Sequence, residues 1–175
     1  MLPLVSLSET ELADISDRIP GGAANIQDIY PLAPLQEGVV FHHSLSDEVD
    51  PYVTPALFRI GDEQTLNSFC ESLQFIIDRH DVLRTAILWR QREKPLQVVL
   101  REARLPVTWL PVQQGDDVLA KMQGLCAPEV QWMELEKAPL MQLTVAAEAD
   151  GGYLVLLQHH HVVIDHVGLE VVQQE

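Results

Sequence analysis

Asp150-Gly151-Gly152-Tyr153-Leu154-Val155-Leu156-Leu157-Gln158-His159-His160-His161 opens on a hairpin turn signal and continues as an apolar strand that ends in histidine. Leu140 to Ala147, just before it, reads as the partner strand. Side chains alternate across a strand, so His159 and His161 share one face and His160 takes the other. After His161 the chain turns, and Val167 to Glu175 begins an amphipathic helix with no Gly or Pro stop signal.

Working back from this hairpin, the clearest helix is about Glu63 to Arg79. Leu66, Phe69, Cys70, Leu73, Ile76 and Ile77 keep helical spacing, and Asp62 is its N-cap. Leu83 to Trp89, Leu96 to Arg101 and Val107 to Leu110 read as strands, and Asp116 to Leu125 as a helix. Tyr52 to Ile60 is a strand whose Pro55 predicts a sheet edge or bulge. Ile29 to Pro34 is extended, and Pro34 serves as first residue of a helix carrying Leu35, Val39, Val40 and His43. Ser8 and Glu11 form a capping box for a short polar helix stopped by Pro20-Gly21-Gly22, which reads as a docking linker element and not as a core helix. Helices and strands mix without strict alternation, which predicts an α+β fold with a mixed or antiparallel sheet flanked by helices.

Composition narrows the function classes. The 175 residues are 47% hydrophobic, enough for one core. The net charge is −15 with no Lys/Arg cluster, which argues against nucleic acid and anionic membrane surfaces as partners. The uncharged run from Gly151 to Ile164 is too short to span a bilayer, and the amino terminus lacks the basic start of a secretion signal. A cytoplasmic protein is expected. Cys70 and Cys126 form no CxxC pair, so neither a disulfide scaffold nor a thiolate zinc site is indicated.

The chemistry-bearing segment is His159-His160-His161-Val162-Val163-Ile164-Asp165-His166-Val167-Gly168. An imidazole at a strand end with a carboxylate nearby suits general-base work near neutral pH. A metal site is a second reading, weakened because consecutive histidines cannot all face one ion. A purely structural histidine cluster is the third.

His160-His161-Val162-Val163-Ile164-Asp165 resembles the HHxxxDG motif of condensation domains of nonribosomal peptide synthetases, which extends the HxxxD signature of chloramphenicol acetyltransferase-like acyltransferases. Three further stretches resemble family motifs in the family's order. They are Asp28-Ile29-Tyr30-Pro31-Leu32-Ala33-Pro34-Leu35-Gln36-Glu37-Gly38, Arg79-His80-Asp81-Val82-Leu83-Arg84-Thr85, and Leu135-Glu136-Lys137-Ala138-Pro139-Leu140. His166 stands where the motif has Gly, a feature similar to the dual epimerization/condensation subtype. That subtype carries a second motif, HH[I/L]xxxxGD. Here His42-His43-Ser44-Leu45-Ser46-Asp47-Glu48-Val49-Asp50 keeps both histidines and the Asp, with Ser44 and Val49 departing. On spacing alone, His42 and His43 also read as a helix-end pair well placed in the helix dipole.

The resemblance implies a chloramphenicol acetyltransferase-like lobe that forms peptide bonds between carrier-bound thioesters, with possible epimerization of the donor residue. It implies His161 as the catalytic imidazole, His160 as a shaper of the site and Asp165 as a structural residue pairing with the other lobe, with His42 and His43 as the second pair. Arg79 and Arg84 would be framework residues; helix-end cations are the alternative for them. No cofactor or metal is expected on the chain itself. Substrates would arrive on the 4′-phosphopantetheine arms of upstream and downstream carrier domains. Residues 1–25 would be a linker from an upstream carrier and residues 26–175 the N-terminal lobe, with a C-terminal lobe as partner and the isolated lobe inactive. Two other readings remain: a non-catalytic lobe that docks carriers, and a pure epimerization domain.

Overall fold

The computed structural model describes residues 5–163. Its helices are α1 (Glu9–Arg18), α2 (Pro34–His43), α3 (Glu63–Arg79) and α4 (Val118–Gly124). Its strands are β1 (Ile26–Pro31), β2 (Val53–Ile60), β3 (Thr85–Leu88), β4 (Leu96–Leu100), β5 (Val107–Trp109), β6 (Met141–Ala147) and β7 (Tyr153–His160). A 3-10 turn over Asp81–Arg84 links α3 to β3. The expected helix at 167–175, together with Asp165 and His166, lies outside the described residues.

Among the described residues two sheets form, in the orders β1-β4-β3 and β2-β7-β6-β5. All pairs are antiparallel except β5 with β6. The α+β expectation of a mixed or antiparallel sheet flanked by helices therefore holds. Among the described residues β2 is an edge strand, which tolerates Pro55 and its missing N–H. The β6–β7 turn closes through Glu148 N–H to the Gly152 carbonyl at 2.8 Å, with Gly151 at φ +90°, a left-handed conformation that favours glycine.

The main core lies between α3 and the larger sheet. Leu66, Leu73, Ile76 and Ile77 of α3 are buried in one cluster with Leu143, Val145 and Val155, and Phe69 and Cys70 pack at its margin. The Asp62 carboxylate accepts the Thr65 N–H at 2.8 Å, the N-cap its position predicts.

α1 differs from expectation. Its capping box forms as predicted, with the Glu11 carboxylate accepting the Ser8 N–H at 2.8 Å. Yet Ile15 is fully buried and Ile19 nearly so, in a second core with Ala86, Leu88, Leu96, Val98 and Leu100. The two isoleucines, four residues apart, pack with Val5 and Leu7 against the β1-β4-β3 sheet. Their burial contributes on the order of 1.5–3 kcal/mol each. α1 is thus a core helix of the smaller sheet.

Arg84 carries the framework role. It sits in the 3-10 turn, not in α3, and is 6% exposed. Its guanidinium donates to the carbonyls of Ile77, Leu100 and Arg101 and to Asp81. It thereby satisfies the carboxy-terminal end of α3 and fastens β4 beside it. Arg79 is the exposed last residue of α3.

Candidate active site

β7 carries its histidines to the end of the larger sheet. His160 pairs with Val53 of β2, and His159 lies between Thr54 of β2 and Met141 of β6. The alternation read from the sequence is present. The rings of His159 and His161 lie 5.7 Å apart, while His160 turns to the opposite side.

There His160 meets a buried carboxylate. Asp50, fully buried, receives His160 Nε2 at 2.8 Å and His43 Nδ1 at 2.5 Å on the same oxygen, Oδ2. Its other oxygen accepts the Tyr52 N–H at 2.8 Å. Burial alone would raise the Asp50 pKa, but the hydrogen bonds from His160, His43 and Tyr52 outweigh it and hold the carboxyl well below its ordinary range. The two histidine pairs are therefore joined by one ionised side chain. The sequence singled out Asp50 only as the last residue of the second motif; its burial and its partner 110 residues away carry no local signal.

His43 is also enclosed. Its ring stacks on Trp132 at 5.6 Å and meets the edge of Trp89 at 5.5 Å. Helix-end placement is real, since His42 and His43 form the last turn of α2, but Asp50 is the specific partner. His42 is exposed, with its ring 6.1 Å from that of Tyr52.

His161 is exposed and stands on a fastened turn. Its N–H donates to the Tyr52 carbonyl at 2.9 Å. The next N–H, of Val162, donates to His160 Nδ1 at 3.0 Å. The Val162 carbonyl accepts from Gln36 Nε2 at 3.0 Å. Gln36 belongs to the opening motif, and no local feature marks that it reaches this turn.

His159 is a different kind of histidine. It is 1% exposed, and neither ring nitrogen has a hydrogen-bond partner among the described residues. Burial, reinforced by the nearby His161 and His160, pushes its pKa down to about 4. It behaves as a neutral core residue.

His43, Asp50 and His160 bring one potential ligand atom each within 4.8 Å of one another. Nδ1 of His160 accepts a backbone N–H, so the ring proton sits on Nε2, the atom a cation would need. The donor pattern fits a hydrogen-bonded carboxylate and not a cation site. Among the described residues, no helix is long and apolar enough to cross a membrane.

The family described as Condensation domain matches residues 26–175. Malpibaldin synthetase of Mortierella alpina is 42% identical over 176 residues, which cover 100% of this chain and 3% of that protein. Tyrocidine synthase 2 of Brevibacillus parabrevis is 29% identical over 143 residues, covering 80% of this chain and 4% of that protein. The chain thus spans a few per cent of the length of these relatives. Among solved structures, the starter condensation domain of rhizomide synthetase superposes with a TM-score of 0.64 at 20% identity, covering 85% of this chain and 37% of that one. A holo four-domain nonribosomal peptide synthetase gives 0.67 at 16% identity, covering 85% of this chain and 12% of that one. At such identities these likenesses speak for the fold, and that fold is the chloramphenicol acetyltransferase-like lobe the motifs implied. With the family match over most of its length, the chain belongs to the condensation domains of nonribosomal peptide synthetases.

Proposed function

We propose that residues 26–175 form the N-terminal lobe of a domain that joins two carrier-bound thioester substrates by a peptide bond, with His161 as its catalytic imidazole. The observation that carries this reading is the exposure of His161 on a turn whose backbone is held on both sides, with its neighbours His159 and His160 buried. An exposed ring on a held backbone suits repeated proton transfer to a tethered substrate.

In the reaction the neutral acceptor amine attacks the thioester carbonyl of the donor. The new C–N bond forms, the C–S bond breaks, and the thiol leaves with a proton. His161 would hold the amine, accept its proton, or stabilise the charged tetrahedral intermediate. Substrates would be delivered on the phosphopantetheine arms of upstream and downstream carrier domains. Residues 1–25 would be the segment arriving from the upstream carrier, and a second lobe would complete the site. Asp165 would brace that junction.

Epimerization of the donor residue is the finer part of the proposal. It requires removal of the donor Cα proton and its return from the opposite face. The two histidine pairs supply the groups. His42 and His161 are exposed beside Tyr52, while His43 and His160 share Asp50 behind them.

The test uses the synthetase containing this chain, with both carriers loaded, and follows products by intact mass and chiral analysis. His161→Ala should lower amide formation by about 10²–10⁴-fold. Unchanged amide formation would exclude the catalytic role. Carrier capture without turnover by the unaltered protein would favour the docking-only reading. Epimerized donor without amide would favour the pure epimerization domain.

A further inference from the structure

The buried Asp50 carboxylate lies too deep to touch a substrate, yet it is joined to the exposed His161 by two short paths. One runs through Oδ2 to His160 Nε2, and from His160 Nδ1 to the Val162 N–H. The other runs through Oδ1 to the Tyr52 N–H, and from the Tyr52 carbonyl to the His161 N–H. Both end on the peptide units flanking the His161 side chain.

The first path depends on a tautomer. His160 can accept the Val162 N–H at Nδ1 only while its proton sits on Nε2, and Asp50 is the group that holds the proton there. We propose that Asp50 is a positioning residue for His161, fixing the His160 tautomer and thereby the backbone of the His161–Val162 turn. This rests on His161 being the catalytic imidazole. It adds a consequence for the second histidine motif: through Asp50, that motif sets the geometry of the first.

Two readouts test it. In the ¹⁵N-labelled full chain, the imidazole nitrogens of His160 should show the Nε2–H pattern, with Nδ1 coupled to the Val162 amide. In the synthetase containing the chain, Asp50→Asn offers His160 an amide N–H, reverses the ring's preferred tautomer and should lower kcat by about 10²-fold, with KM changed less than about twofold. The same variant should lose the Nε2–H pattern while keeping the wild-type circular dichroism. A His160 carrying its proton on Nδ1 in the unaltered chain overturns the proposal. So does an Asp50→Asn protein that loses the Nε2–H pattern and keeps its kcat, or one whose loss lies in KM. If Asp50→Asn does not fold, the spectrum of the unaltered chain decides alone. If the unaltered synthetase forms no amide from loaded carriers, the functional reading fails, while the spectrum still decides whether Asp50 sets the tautomer.

Discussion

Gln36 Nε2 donates to the carbonyl of Val162 at 3.0 Å, across 126 residues of chain. The same amide group donates to Gln97 at 3.1 Å, and its oxygen accepts the Ala33 N–H at 2.9 Å. One side chain thus caps the start of α2, touches β4 and holds the turn that carries His161.

Replacement of Gln36 by Glu puts a carboxylate against the Val162 carbonyl and the Gln97 side-chain oxygen. The donor is lost and two acceptors face a negative charge. The expected cost is about 1–3 kcal/mol, read as a lower urea midpoint at unchanged slope. Gln36→Leu should cost less, because it removes the donor without adding the repulsion. A Glu variant as stable as the unaltered protein would show that this contact does not hold the turn.

His159 makes stability depend on pH. Its pKa is about 4 in the fold against an ordinary 6.5, so between those values the unfolded chain binds more protons than the folded one. Stability attributable to this ring is complete above about pH 6.5 and falls as the pH drops toward about 4, by up to about 3 kcal/mol. Phe fills nearly the same space and has no nitrogens to leave unpaired, so His159→Phe should be neutral or stabilising at pH 7 and should flatten the pH 4–6.5 slope. Urea melts at pH 7 and pH 5 measure the difference. An equal slope in both proteins would place the acid sensitivity elsewhere.

Much of this architecture was legible because its signals are local. α3 shows an unbroken apolar stripe behind an Asp N-cap, and the β6–β7 hairpin has its turn residues between two apolar runs. Pro55 predicts an edge or a bulge for β2, and the sheet order among the described residues has it at an edge. α1 reads as a linker from the sequence because its periodicity rests on few residues, and nothing local shows that Ile15 and Ile19 pack on β3 and β4, which begin only at Thr85 and Leu96. At the site, strand alternation correctly separated His160 from His159 and His161. Asp50 is legible only as the last residue of the second histidine motif, and Gln36 only as part of the opening one; the bonds that tie them to the site, Asp50 to His160 and Gln36 to Val162, close over 110 and 126 residues and leave no local signal. A buried acid gives no sign of its burial until its partners are known.

Arg84 gives a sharper contrast between two basic side chains. Its guanidinium reaches the Ile77 carbonyl through Nε at 3.1 Å, the Leu100 and Arg101 carbonyls through Nη1, and Asp81 through Nη2 at 2.5 Å. Those acceptors fan out around a planar fork. The ammonium of Lys is a single point with three donors and cannot span them. Arg84→Lys keeps the charge but strands at least one buried carbonyl and shortens the side chain at a site only 6% exposed. The expected loss is about 2–4 kcal/mol, through unsatisfied buried acceptors and lost packing. Had Arg84 served only as a helix-end cation, Lys would substitute with little loss, because a dipole interaction depends on charge and position and not on fork geometry. Equilibrium urea unfolding of Arg84→Lys therefore separates the two readings: a loss below about 0.5 kcal/mol would favour the dipole role, and a loss of several times that the carbonyl-bridging one.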